Sequence, residues 1–171
     1  MPDQSGKNKA ELIKHMAFRS ARENTSHIRS HLEQELCTIV VTESRDAVRR
    51  QHIRRLGQLG LEQHTHVQFT LHMEQVTHLL KTRRGEIELL ITAKDIALNG
   101  DDYHECFQAP SRARTRSSCV ELMDAADKVG LPYLLATESE ELYPRHPKVI
   151  SNGKYEKFDV IKMMMALGIK A

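Results

Sequence analysis

Short β-branched runs alternating with amphipathic stretches of about 10 to 15 residues leave this chain few folds to choose from. Thr38-Ile39-Val40-Val41-Thr42 and Ile87-Glu88-Leu89-Leu90-Ile91-Thr92-Ala93 are nearly continuous in apolar and β-branched character. That is the pattern of a strand covered on both faces. Further strands are predicted at Val67–Leu71, Tyr133–Thr137 and Lys148–Ser151. Asp46 is predicted to cap a helix in which Val48, Ile53, Leu56 and Leu59 share one stripe, with Gly57 and Gly60 marking its end. Other helices are predicted over Glu74–Arg83, Ser118–Val129 and Asp159–Leu167. Strands alternating with helices argue an α/β fold, a doubly wound parallel sheet with right-handed crossovers. Ligands of such sheets sit beyond the carboxyl ends of the strands, which directs attention to Thr42, Glu43, Ser44, Ala93 and Thr137.

A chain of 171 residues has room for one domain with a real core plus an appendage. Residues 7–36 have a different character, rich in Ala, Glu, Lys, Arg, Leu and His. Leu12, Ile13, Met16 and Phe18 form one apolar cluster; Ile28, Leu32 and Leu36 form a second at helical spacing, with Asn24-Thr25-Ser26 as a cap or break between them. The predicted division is therefore a helical extension over 1–36 and an α/β domain over 37–171. The extension either packs on its own domain or serves as a dimerisation or docking element.

The apolar runs are far shorter than the ~20 residues of a membrane span, and no apolar segment follows the basic residues near the N-terminus, so neither a membrane anchor nor a secretory signal is expected. Cys37, Cys106 and Cys119 form no metal-type pair and leave an odd thiol, which favours a reducing cytoplasm. The ten histidines include His64, His66 and His72, which share strand parity, but no carboxylate or cysteine partner has the spacing of a known metal motif. No metal or cofactor is expected. No Gly-rich phosphate loop, nucleophile elbow or catalytic carboxylate pair stands at a strand end, so the chain does not read as an enzyme.

The same positions carry a resemblance. IVVTESRDAVRRQHIRRLGQLG is similar to the first strand, acidic pair and first helix of response-regulator receiver (CheY-like) domains. VQFTLHMEQVTHLLKTRRGEIELLIT resembles the receiver's second strand through its third, GLPYLLAT its fourth strand, and KFDVIKMMMALG the start of its last helix. The resemblance spans about residues 38–168 and implies a flavodoxin-like, five-stranded parallel sheet in the order 2-1-3-4-5. In receivers an acidic pair holds Mg²⁺, an aspartate accepts the phosphoryl group, and a hydroxyl residue and a lysine contact it. By position the acidic pair becomes Glu43 and Ser44, the acceptor becomes Ala93, and the hydroxyl is Thr137. The lysine is Lys157, although the usual proline before Phe158 is missing, or alternatively Lys154. Alanine is neither a nucleophile nor a metal ligand. Asp95, two residues on, is the nearest carboxylate, and its place in the following loop makes it a poor substitute. The resemblance thus implies a degenerate phosphoacceptor pocket and a function in partner binding.

Arginines set the expected partner chemistry. Arg45, Arg49, Arg50, Arg54 and Arg55 make the first domain helix basic, and Arg112, Arg114 and Arg116 cluster in the long connection after the third strand. An acidic protein partner, a kinase or regulator in the family context, is preferred; the alternative is a nucleic-acid-binding adaptor, disfavoured by 5% aromatics and no Trp. Pro144 and Pro147 leave the fourth helix short or missing. The last helix carries Val160, Ile161, Met163, Met164, Met165 and Leu167 nearly all round, more than one sheet covers. From this a homodimer is predicted, with that helix, including Met164, and residues 10–36 in its interface.

Overall fold

Ser20 starts the first of the described helices. Its side chain accepts the Glu23 backbone N–H at 3.1 Å and its hydroxyl donates to the Glu23 carboxylate, a Ser-x-x-Glu cap that satisfies an otherwise orphaned donor. This helix, α1 (Ala21–Glu35), opens the computed structural model, which describes residues 19–99, 116–137 and 148–169. The break expected at Asn24-Thr25-Ser26 does not occur. These residues lie inside α1, where the Thr25 and Ser26 hydroxyls bond back to the Ala21 and Glu23 carbonyls. Back-bonding of this kind uses the hydroxyl without stopping the helix. Leu36 leaves the expected stripe: it lies beyond the helix end and is 84% exposed. The Leu12–Phe18 cluster lies outside the described residues.

β1 (Thr38–Thr42), α2 (Asp46–Gln58), β2 (Val67–Thr70), α3 (Met73–Thr82) and a 3-10 turn (Arg84–Glu86) follow. Next come β3 (Ile87–Ala93), β4 (Asp95–Ala97), β5 (Arg116–Ser118), α4 (Cys119–Lys128), β6 (Tyr133–Thr137), β7 (Val149–Ser151) and α5 (Lys157–Ala166). Five strands form one parallel sheet in the order β2-β1-β3-β6-β7, the expected 2-1-3-4-5 when strands are counted within that sheet. β4 and β5 add a separate antiparallel ribbon. Three residues per strand carry no readable period, so the ribbon is invisible in the sequence. The predicted short fourth helix lies outside the described residues.

Helices cover both faces, which explains the unbroken apolar runs of β1 and β3. On one face Ile39, Val41, Leu89 and Ile91 pack with Leu56 of α2, with Val160, Ile161, Met163 and Met164 of α5, and with Ile28 and Leu32 of α1. On the other, Val40, Leu90 and Ala93 pack with Val76 and Leu79 of α3 and Leu122 and Ala126 of α4. α1 thus shares the core of the domain. The surplus apolar surface of α5 is covered by α1 of the same chain. Met164, expected to face a partner, is fully buried.

Two local expectations change. Asp46 does not cap α2; it is the first helical residue, after Arg45, and its carboxylate pairs with Arg49 and Arg50. Gly57 lies inside α2, and the chain turns at Gly60, whose φ of +94° suits glycine.

Candidate functional site

Strand register assembles the carboxyl edge. Thr42 is level with Thr92, and Ala93 with Ala136, so Glu43, Ala93 and Thr137 follow one another along the same edge. Ala93 is buried, its methyl part of the core beneath α3. Thr42 and Thr70 share a hydroxyl hydrogen bond of 2.8 Å between neighbouring strand ends. Lys157 stands exposed in the first turn of α5. Lys154 is exposed too, its carbonyl accepting from Arg55 Nε at 3.0 Å.

The chain after β3 closes the crevice in which doubly wound sheets hold ligands. Instead of passing directly into α4 it turns back across the end of β1 toward β2. The Ala97 N–H donates to Ser44 Oγ at 2.8 Å, the Ser44 hydroxyl donates to the Leu71 carbonyl at 2.6 Å, and the Leu98 carbonyl accepts the Glu74 N–H at 3.1 Å. Ile96 and Ala97 are buried. Ser44, expected in a degenerate metal pair, is instead the bracket that ties β4 to the ends of β1 and β2. Asp95 opens β4 and is exposed, so its carboxylate does not enter the sheet edge.

Glu43 is buried, and its Oε1 accepts from the Arg45 backbone N–H at 2.9 Å and from Arg45 Nε at 3.1 Å. Its Oε2 is buried with no hydrogen-bond partner among the described residues. Arg49, expected on a docking surface, is turned inward: Nη2 donates to Asp46 at 2.5 Å and Nη1 to the Glu43 carbonyl at 3.4 Å. An arginine one turn beyond an aspartate meets it on the same helix face, and here that pair lies against the β1–α2 loop. Arg50 remains mostly exposed beside Asp46, and Arg54 is exposed. Arg112 and Arg114 lie outside the described residues, and Arg116 opens β5 opposite Ala97.

Sequence reasoning missed a buried polar cluster beside this edge. His52 completes the inward face of α2, 1% exposed. Its Nε2 lies 3.1 Å from Asn152 Oδ1 and its Nδ1 2.6 Å from the Tyr155 hydroxyl. An amide oxygen only accepts, so Nε2 carries the proton and Nδ1 accepts from Tyr155. Burial pushes the His52 pKa down to about 4, with Arg45 adding to the shift and the Asn152 bond opposing it. Burial also raises the Tyr155 phenol, so both rings are neutral. Asp159, fully buried, accepts from the Ser151 and Glu156 backbone N–H groups at 3.0 and 2.8 Å and from the Ser151 hydroxyl. No spacing rule links residues 52, 152 and 155; a histidine interrupting an apolar stripe was the one available signal.

His66, considered as a metal ligand, accepts the Glu62 N–H at Nδ1 and pairs through Nε2 with Glu33 at 2.9 Å. His64 is exposed. Among the described residues no cluster of three or more His, Cys, Asp or Glu side chains is placed to hold a metal ion, and no helix is long and apolar enough to cross a membrane.

No protein-family model matches the chain, and no curated protein matches it. Among solved structures it is similar to a de novo designed Rossmann 2x3 fold protein determined by NMR, with 14% identity, a TM-score of 0.44, and coverage of 77% of this chain and 90% of that one. A likeness that slight carries no functional argument; the α/β fold class stands on the strand order and pairing described above.

Proposed function

We propose that this chain is a phosphorylation-independent, receiver-like interaction module that acts through a protein partner. The observation carrying this reading is the closed carboxyl edge: alanine is packed at the acceptor position, and residues 95–98 are bonded across the ends of β1 and β2 through Ser44. A phosphoryl group needs a nucleophile and an open approach aligned with a metal. Ala93 supplies no nucleophile at the acceptor position, and residues 95–98 lie across the approach to it.

The partner surface in this reading is the groove between α2 and the β7–α5 loop. Gln51, Arg54, Arg55, Gly153, Lys154 and Glu156 line it. Three cations against one carboxylate favour an acidic protein surface. Arg55 is held in place by its bond to the Lys154 carbonyl, which reduces the entropy lost on docking. Cytoplasmic residence belongs to the same proposal and is supported by Cys37 and Cys119, both buried free thiols.

Intact-mass analysis after incubation with a small phosphodonor and Mg²⁺ tests the reading. The mass is expected to stay unchanged, and a protein retained by the immobilised chain should bind equally with and without the donor. That binding should fall with Arg54→Glu or Lys154→Glu. Addition of one phosphate mapping to Asp95 or Glu43 would falsify it.

A further inference from the structure

α1 reaches its seat through a turn that its own sequence disfavours. Two residues, Leu36 and Cys37, separate α1 from β1. Leu36 reverses the chain with φ 55°, in the left-handed region where glycine is the usual helix-ending residue and a β-carbon is crowded. The Cys37 N–H closes the turn on the Leu32 carbonyl at 3.0 Å. The leucine gains nothing there, since its side chain is among the most exposed large apolar groups of the described chain.

The seat itself is complete on the body of the protein. Ile28 and Leu32 insert beside Met163 and Met164 of α5. On one flank His31 pairs with Glu88, which the register shift between β1 and β3 at Thr38/Ile39 leaves as the extra residue on β3. Such a bulge re-aims a side chain. On the other flank Glu33 pairs with His66. Among the described residues, the groups that receive the apolar face of α1 and its two flanking pairs belong to residues C-terminal to the hinge, so α1 of a second copy fits the same seat.

We infer that α1 exchanges between two copies of this chain, with Leu36 as the hinge, each helix seating on the α5, Glu88 and His66 of the other copy. Exchange conserves the contacts of the closed form and releases two leucines from the left-handed region. Short strained hinges favour this outcome.

Sedimentation velocity of the intact chain from low to high micromolar concentration, with native mass spectrometry of mixed isotope-labelled and unlabelled chains, tests it. The expected result is a dimer fraction that rises with concentration and swaps subunits slowly, because swapping requires α1 to undock. Leu36→Gly, which relaxes the closed turn, should weaken dimerisation about tenfold or more. Deletion of Leu36, which removes the reversing residue, should make the dimer dominant. A wild-type chain that stays monomeric throughout overturns the proposal whatever the deletion does. So does a dimer that swaps subunits within seconds or is indifferent to Leu36→Gly, since that is face-to-face association without exchange.

Discussion

His52 is the residue through which mild acid should act. Unfolded, its imidazole titrates near 6.5; folded, burial holds the pKa at about 4. The unfolded state therefore binds the extra proton between these values. Stability contributed by the neutral ring is complete above about pH 6.5, falls as the pH drops toward 4, and is lost below that. Protonation also disrupts the geometry, since Nδ1 is the acceptor for the Tyr155 hydroxyl. Urea unfolding at pH 5 should show a loss of about 2 kcal/mol relative to pH 7 from this group. His52→Gln should be less stable at pH 7 and flatten the slope between the two pH values. An unchanged slope would remove His52 as its source.

At the scale of elements, the β4 segment decides what the sheet edge can do, and Ser44 holds it. One hydroxyl satisfies both the Leu71 carbonyl and the Ala97 N–H. Ser44→Ala leaves two backbone groups without that partner, and each buried orphan costs about 1–3 kcal/mol. The variant should lose about 2 kcal/mol or more by urea unfolding, and amide exchange should quicken at Ala97. If exchange there keeps its wild-type rate, the bracket is not what holds β4. Sequence reasoning placed Ser44 at the right edge and gave it the wrong partners. The residues that bond to it lie 27 and 53 positions away, beyond the reach of any local period.

For the molecule as a whole, the division at residue 36 separates elements but not cores. Leu32 is 1% exposed within the same cluster as Ile39, Leu89 and Met163. Leu32→Ala should cost about 2–5 kcal/mol, and it should shift one cooperative transition seen equally by far-ultraviolet circular dichroism and tyrosine fluorescence. Two separate transitions, with only the smaller one moved, would mean that α1 folds as an independent appendage.

What the sequence by itself determined was the alternation of strands and helices, and through it the parallel sheet and the edge at which Glu43, Ala93 and Thr137 meet. A strand buried on both faces must be apolar at successive positions, and a crossover helix must show an apolar stripe, so each segment carries its own signature. The tertiary structure decided the rest. The burial of Met164, the inward turn of Arg49, the His52–Asn152–Tyr155 cluster and the closure of the crevice by residues 95–98 all depend on which segment arrives from elsewhere in the chain. The apolar circumference of α5 recorded that a cover was needed. Only the packed chain supplied its identity, because Ile28 and Leu32 would bury the same surface whether they came from this copy or another.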